Sequence, residues 1–506
     1  MTAVVADAPA LPLAGGAAHH RVVIVGAGAS GLATAKALSD AGIDDYVLVE
    51  KGDEVGGTWR DNTYPGCGCD VPSVWYSFSF APNPFWSRFY SRQEEILDYL
   101  RATSWRLGVR SRIHFGTEVL EVSWRPTLHH WDVVTTCGTL SADVVVLGAG
   151  PLHEPRLPDV EGLGSFTGRV FHSARWDHDH DLSGQRVAVI GTGASAIQFI
   201  PRIQPHVGEL HLFQRTAPWV LPKVDFKVPW AAQQLFHRVP PTEGAVRTGV
   251  SMVHAAAGVA FRDARLMRLV QPLARQVLHH QVRDRSLRAV VNPQGVLGCK
   301  RVLLSNSYYR ALAAPNVSVH PTALTGVDGG AVNGEDGTRV EVDALIFATG
   351  FDVARPPIVD RVRDGDGVSL AGHWAAGPTA YLGTAMVGFP NLFMLLGPNI
   401  VPGHASVLTT VEVQARYIAD AVTTMADHGW AALEVRPDVA RALNREVQSA
   451  LAGTVYNSGC SSYYLSDGRN IANWPWSLAR LHRRFRFDVA DYVVQDHLTT
   501  DQEGRS

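Results

Sequence analysis

Two short turns constrain this chain more than anything else in its 506 residues. In the first, the apolar run "VVIV" passes at once into "GAGASG" and then "LATAKALSDAG", a spacing that predicts a buried parallel strand, a tight turn and a helix ending at Gly42. Gly26 permits the turn, Gly28 lets a pyrophosphate approach the backbone at the helix N-terminus, and Gly31 allows the helix to pack closely on the strand. A second strand, "DYVLVE", ends on Glu50, whose carboxylate is placed to accept hydrogen bonds from ribose hydroxyls. The same grammar recurs at "RVAVIGTGASAIQFIPRI", with Gly191, Gly193 and Ala196 at the three glycine positions. The strand that follows, "ELHLFQR", ends not on an acid but on Gln214, Arg215 and Thr216. A guanidinium there suits the 2′-phosphate of NADP, which a carboxylate would repel.

The predicted fold class is α/β, with two interleaved Rossmann-like dinucleotide-binding domains and a helical insertion. Hydrophobic cores stop growing at roughly 250–300 residues, so a chain this long needs more than one domain. Two further strands, "DVVVLGAG" at 143–150 and "DALIFATGFD" at 343–352, end in small residues that let crossing backbones pass close together. The expected order is a disordered arm over 1–20, a first dinucleotide domain from 21–152 and 383–506, a second from 153–222 and 300–382, and helices over 223–299. The arginines of that insertion alternate with apolar positions at helical spacing; solvated amphipathic helices are the default, and contact with a membrane surface the alternative. The tail after Asp491 reads as loose.

Charge excludes some partners. Lys plus Arg number 45 against 48 Asp plus Glu, a net charge of -3 that offers no bulk attraction to nucleic acid or anionic membrane, so small-molecule partners are expected. The cysteines, Cys67, Cys69, Cys137, Cys299 and Cys460, form no metal-ligand pattern and leave one over, as in a reducing cytoplasm. The N-terminus has no basic residue before its apolar part, and no run of about 18 apolar residues suggests a span, so a soluble cytoplasmic protein is expected.

Between the two turns lies "FTGRVFHSARWD". Its Phe166, Gly168, His172, Trp176 and Asp177 fit the pattern FxGxxxHxxxW followed by Pro or Asp, and on these residues and the flanking turns the chain resembles the Baeyer-Villiger monooxygenases, a subgroup of the Class B flavoprotein monooxygenases. The resemblance runs from about residue 20 to 485. It implies FAD at the first turn, NADPH at the second, and oxidation of a ketone by O2 to an ester or lactone through a C4a-peroxyflavin. It also implies that Gly56, Gly57, Thr58 and Trp59 lie along the flavin and that Asp70 and Tyr76 face its ring. Arg301, in "GCKRVLLSNSYYRAL", would be the cation that stabilises the oxygen anion, with Asp70 orienting it. Lys300 beside it is a second candidate for the 2′-phosphate, and Gly397, Pro398, Asn399 and His404 would lie near the cofactor.

His172 and Trp176, four residues apart, share one side if the segment is helical, although "GRVFHSARW" also reads as extended. Their expected role is a hinge and strap that couples domain position to closure over the flavin, with proton transfer by His172 the minor alternative. Two departures from the family pattern stand out. The "CGC" before Asp70 lacks the usual arginine, and a substrate-side tryptophan of the C-terminal loop is represented by Tyr463 or Tyr464. The nearest rival is N- or S-oxygenation of heteroatom substrates, against which the Trp176 ending and the Lys300–Arg301 pair argue. A disulfide reductase would need a cysteine pair where Trp59 stands, and a non-catalytic flavin sensor would have little use for an NADP site.

Overall fold

The computed structural model describes residues 18–401, 403, 405–460, 462, 464–466 and 468–496. Strand β1 (Ala18–Val25), helix α1 (Ala29–Asp40) and strand β2 (Tyr46–Val49) form from the first apolar run and its turn. β1 runs parallel to β2 and also to β3 (Gly138–Leu147), and Val22, Val23 and Ile24 are wholly buried. A strand covered on both faces has no polar side, which is why the sequence shows an unbroken apolar run. The outer half of β3 pairs antiparallel with a hairpin, Val119–Arg125 and His130–Thr135. β1 begins earlier than expected: Ala18 and His19 already pair with Leu140 and Ser141, so residues 18–20 are strand rather than disordered arm.

The second sheet is wholly parallel. Strands β4 (Arg169–His172) and β5 (Arg186–Ile190) are followed by helix α2 (Ala194–Ile203) and β6 (Glu209–Phe213). Helices α3 (Trp230–Arg238), α4 (Pro241–Phe261), α5 (Ala264–Gln281) and α6 (Arg285–Val291) then precede β7 (Val317–His320) and β8 (Ala344–Phe347). Neighbours in the sheet run β7, β6, β5, β8, β4, so the strand that leaves the unit, β8, lies between its entry strand β4 and the glycine-turn strand β5.

The chain leaves the first sheet from β3 and the second from β8, and the two crossing segments bond to each other. Arg156 N donates to Gly350 O at 2.9 Å and Asp352 N to Glu154 O at 3.3 Å. The chain returns sooner than the expected boundary at 382. Val362 already pairs with Val122 of the first sheet, because Val359, Val362 and Leu370 bury completely against that sheet's outer face. Strand β9 (Leu392–Met394) adds parallel to β3, and helix α7 (Val407–His428) packs on α1.

Two further expectations change. Tyr492–Asp496 is not loose: it pairs antiparallel with Trp430–Val435, and Tyr492 meets the Tyr417 hydroxyl at 2.5 Å. Cys299 and Cys460 form a disulfide, their Cα atoms 5.9 Å apart, where the sequence reading left all five cysteines reduced. A separation of 161 residues gives such a pair no local signature.

Candidate active site

The two glycine turns are built alike. Gly26 and Gly191 both have positive φ, +101° and +107°, and a Cβ on them would lie 2.9 Å from Gly148 O and 2.5 Å from Ala348 O. Each turn is thus pressed against the end of the strand by which the chain leaves that sheet. Gly31 is held as tightly, since its Cβ would come within 2.0 Å of Gly26 O, whereas Ala196 fits its fully buried position in the second unit. Gly28 and Gly193 differ: a Cβ there would meet nothing closer than Gly57 Cα at 3.6 Å and Ala348 O at 3.9 Å. No protein atom requires glycine at either position. Both are the N-caps of helices with no side-chain capping hydrogen bond, a cradle that fits the pyrophosphate of a dinucleotide.

Glu50 is buried and already engaged. Its Oε2 accepts from Ala27 N at 2.8 Å, and its Oε1 from Gly52 N and Arg60 Nη1, both at 2.8 Å. The carboxylate therefore fixes the 26–28 turn. The sequence reading missed the network that continues from it. Arg60 Nε donates to Asp61 Oδ1 at 2.7 Å, and His153 Nδ1 lies 2.6 Å from Asp61 Oδ2. Burial alone would raise the Asp61 carboxyl, but His153 and Arg60 outweigh it and hold the pKa at about 2. Arg60 and Asp61 are readable only as a charged pair after Trp59; His153 is far away in sequence.

Gly57, at φ +50°, opens the short helix Thr58–Asp61, and Thr58 Oγ1 donates to Leu152 O of the crossing segment at 3.4 Å. Trp59 Nε1 donates to Tyr76 Oη at 3.0 Å, the two rings standing edge to face with centroids 5.6 Å apart. The loop between them hangs from the second unit: Gln198 of α2 accepts from Tyr64 Oη at 3.0 Å and from Gly68 N at 3.2 Å, and donates to Gly68 O at 3.0 Å.

At the end of this loop Arg301 Nη2 donates to both oxygens of Asp70, at 2.6 and 2.7 Å. A second cation stands beside the pair. Lys223 Nζ donates to Cys69 O at 2.7 Å and lies 4.9 Å from the centre of the Tyr90 ring; burial lowers its pKa while Asp70 acts to raise it. The "CGC" segment thus lacks its own arginine but has a lysine brought to it from 154 residues away, beyond the reach of any spacing argument. Cys67 and Cys69 are buried free thiols, both pushed up to about 12 by burial, so neither is a thiolate at neutral pH.

Lys300 turns the other way. Its Nζ donates to Thr216 Oγ1 at 2.6 Å, and its pKa is lowered by burial and by the nearby charge of Arg215. Arg215 itself is exposed. Two mutually repelling cations thus stand at the end of β6.

Comparison with known proteins gives the family of the chain. Residues 23–243 match the family described as pyridine nucleotide-disulphide oxidoreductase. Over 482 residues the chain is 45% identical to a Baeyer-Villiger monooxygenase of Streptomyces coelicolor, covering 94% of this chain and 93% of that one. A Baeyer-Villiger monooxygenase of Pseudomonas aeruginosa is 43% identical over 498 residues, covering 97% and 93%. This chain belongs to the Baeyer-Villiger monooxygenases. Among solved structures, OTEMO in complex with FAD and NADP superposes with a TM-score of 0.85 at 25% identity, covering 95% of this chain and all of that one. Cyclohexanone monooxygenase from Rhodococcus bound to NADP+ gives 0.85 at 26% with the same coverage.

In this Baeyer-Villiger monooxygenase the motif at 166–177 is extended, then turned. β4 ends at His172 and a 3-10 turn covers Ser173–Arg175. A Cβ on Gly168 would lie 2.2 Å from Asp343 O, so only glycine allows the motif to lie against the segment entering β8. His172 Nδ1 accepts from Ala174 N at 3.1 Å, which leaves the proton on Nε2. Burial, with Arg175 adding to it, lowers the His172 pKa to about 4. Trp176 packs between Phe171 and Phe199, with ring centroids at 5.1 and 5.2 Å. Asp177 pairs with Arg169 at 2.5 Å. These contacts belong to the second unit's sheet and core, whereas Asp70 and Arg301 are brought together elsewhere.

Gly397 and Pro398 line a cleft with Ala149, Gly150, Met394 and Ile471. Asn399, also expected at the cofactor, has its side chain committed elsewhere: Nδ2 donates to Asn470 O at 2.8 Å and Asn473 O at 3.4 Å, so it fastens the C-terminal segment. Tyr464 is buried, edge-on to Tyr456. His404 and Tyr463 lie outside the described residues.

Proposed function

We propose that this Baeyer-Villiger monooxygenase oxidises an apolar ketone to an ester or lactone, with FAD seated at the Gly26–Gly28 turn and NADPH at the Gly191–Gly193 turn. The open cradles at Gly28 and Gly193 support the two seats, and relatives described as complexes with FAD and NADP support the pair of cofactors. Bound FAD accepts hydride from NADPH and activates dioxygen; that chemistry is the cofactor's own.

The chain's residues supply position and charge. Arg215, Thr216 and Lys300 hold the 2′-phosphate and so select NADPH. Trp59 and Tyr76, locked by their hydrogen bond, wall the flavin side of the site. Arg301 presents a fixed positive charge to the carbonyl oxygen of the ketone as negative charge develops on it, a stabilisation that costs no reorganisation because Asp70 already orients the guanidinium. Lys223 offsets the Asp70 carboxylate from the other side. His172, neutral and turned inward, positions the crossing strand rather than moving a proton. A cytoplasmic location belongs to the same reading, since NADPH is supplied there.

The contact between Arg301 and Asp70 carries the proposal, because it brings a part-exposed cation to the loop that hangs from Gln198 of α2. Incubation of the holoenzyme with NADPH, oxygen and a panel of cyclic, aromatic and linear ketones, with products followed by mass spectrometry, tests it. A product heavier than its ketone by one oxygen and cleaved by an esterase is expected. Oxygenation of amines or sulfides with no ketone converted would replace this reading with heteroatom oxygenation.

A further inference from the structure

Helix α4 carries its charges inward and its apolar residues outward. Its two ionic side chains are Glu243, which is 5% exposed, and Arg247, whose Nη1 donates to Ser77 O at 2.9 Å and Val74 O at 3.3 Å. From Thr248 to Phe261 there is no Asp, Glu, Lys or Arg. Yet Met252 and Val253 on this stretch are 66% and 69% exposed. A helix face that is solvated on its own account carries polar or charged residues.

Helix α5 repeats the pattern with two apolar stripes. Met267, Ala274 and Leu278 are buried against the protein, while Leu266, Leu269, Val270 and Leu273, at i, i+3, i+4 and i+7, form a second stripe that is exposed, Leu269 by 76%. Trp230, at the start of α3, is 70% exposed. Among the described residues, thirteen of the twenty-three large hydrophobic side chains that stand exposed fall between Val224 and Leu273, so they are gathered rather than scattered.

Charge selects what covers this face. Residues 230–291 hold nine arginines against three acids, in a chain whose net charge is -3. Arg265 and Arg268 are exposed beside the α5 stripe. Two copies of the chain meeting through this face would set arginine against arginine, which opposes association. An anionic phospholipid surface accepts both features: the apolar stripe enters the boundary between headgroups and acyl chains, and the arginines reach the phosphates. No helix among the described residues is long and apolar enough to cross a membrane, so contact is with the surface.

We propose that the α3–α5 face docks on an anionic phospholipid bilayer, with α4 and α5 lying in its plane. The rest of the chain supplies the acidic excess that makes the contact one-sided. Docking does not use the Asp70–Arg301 pair, so binding and turnover are separate readouts.

Co-sedimentation of the full-length holoenzyme with vesicles tests the proposal, using phosphatidylcholine alone and phosphatidylcholine with about one-third phosphatidylglycerol. The protein should pellet with the anionic vesicles, and about 0.5 M salt should weaken that binding. Leu269→Glu with Leu273→Glu should reduce it by about tenfold or more; both positions are exposed, and circular dichroism and flavin absorbance check that the variant folds. Arg265→Glu with Arg268→Glu, which leaves the apolar stripe intact, should abolish the preference for anionic vesicles. Failure of the wild-type protein to bind anionic vesicles would overturn the proposal, as would equal binding to both vesicle types. So would a dimer in light scattering that Leu269→Glu dissociates, which would assign the face to a second copy.

Discussion

Arg301 reaches across 231 residues of sequence to Asp70 and grips it with a single nitrogen, Nη2 donating to both carboxylate oxygens. The contact fixes where the guanidinium points, so Asp70 should act through Arg301. Asp70→Ala should lower kcat/KM for the ketone by about 10- to 100-fold through lost positioning. The double variant with Arg301→Ala should be no worse than Arg301→Ala alone. Losses that simply add would mean that the two residues serve different steps.

Lys300 donates to Thr216 Oγ1 at 2.6 Å and feels the charge of Arg215, the pair proposed above to hold the 2′-phosphate. Arg215→Ala should narrow the preference for NADPH over NADH by about tenfold or more, the worth of one charge-assisted contact. Steady-state kinetics with both coenzymes measures it; an unchanged ratio would move the recognition of that phosphate to other residues.

The parts of the fold that were legible in the sequence are those whose cause is local. A strand buried on both faces has to be apolar throughout, and a turn pressed against a neighbouring strand has to be glycine, so Val22–Val25 with Gly26 and Val187–Ile190 with Gly191 announce themselves. What could not be read depends on long-range closure. Lys223 meets Cys69, Cys299 meets Cys460, and His153 meets Asp61 only because the chain crosses twice between its sheets. Residues 18–20 and 492–496 were misread because "AHH", the polar start of β1, and "YVVQD", half of a two-stranded pair, look like tails until a partner strand is known. Asn399 is expected near the cofactor from the resemblance of "LFMLLGPNIVPGHAS" to the family's segment; that its amide also holds the backbone of Asn470 and Asn473 has no local signature.

His172 is neutral at physiological pH because burial lowers its pKa to about 4. In the unfolded chain the imidazole titrates near its ordinary value of about 6.5. Between these values the unfolded chain binds a proton that the folded one does not, so this contribution costs nothing above about pH 6.5 and destabilises progressively as pH falls towards 4. His172→Gln, which keeps an acceptor for Ala174 N–H, should lose less thermal stability than the wild type between about pH 7 and pH 5. An identical loss in both would place the imidazole in a more solvated setting than the structure gives it.

The Cys299–Cys460 bond joins the segment before Lys300 and Arg301 to the C-terminal region, while Cys67, Cys69 and Cys137 are free. Protein purified without reductant and then denatured should therefore show three titratable thiols per chain, rising to five after reduction. Cys460→Ser should lower the melting temperature by on the order of a few degrees, through release of the cross-linked loop. Five thiols before reduction would show that the bond does not form.

Arg301 is proposed as the fixed cation that meets the developing oxygen anion. Arg301→Ala should fold and retain flavin absorbance, since the side chain serves the site and not the core. Its rate of ester formation, quantified by mass spectrometry under saturating NADPH and oxygen, should fall by about 100-fold or more, while NADPH is still consumed and its electrons appear as hydrogen peroxide. Ester formation at close to the wild-type rate would remove Arg301 from the chemistry and contradict the account.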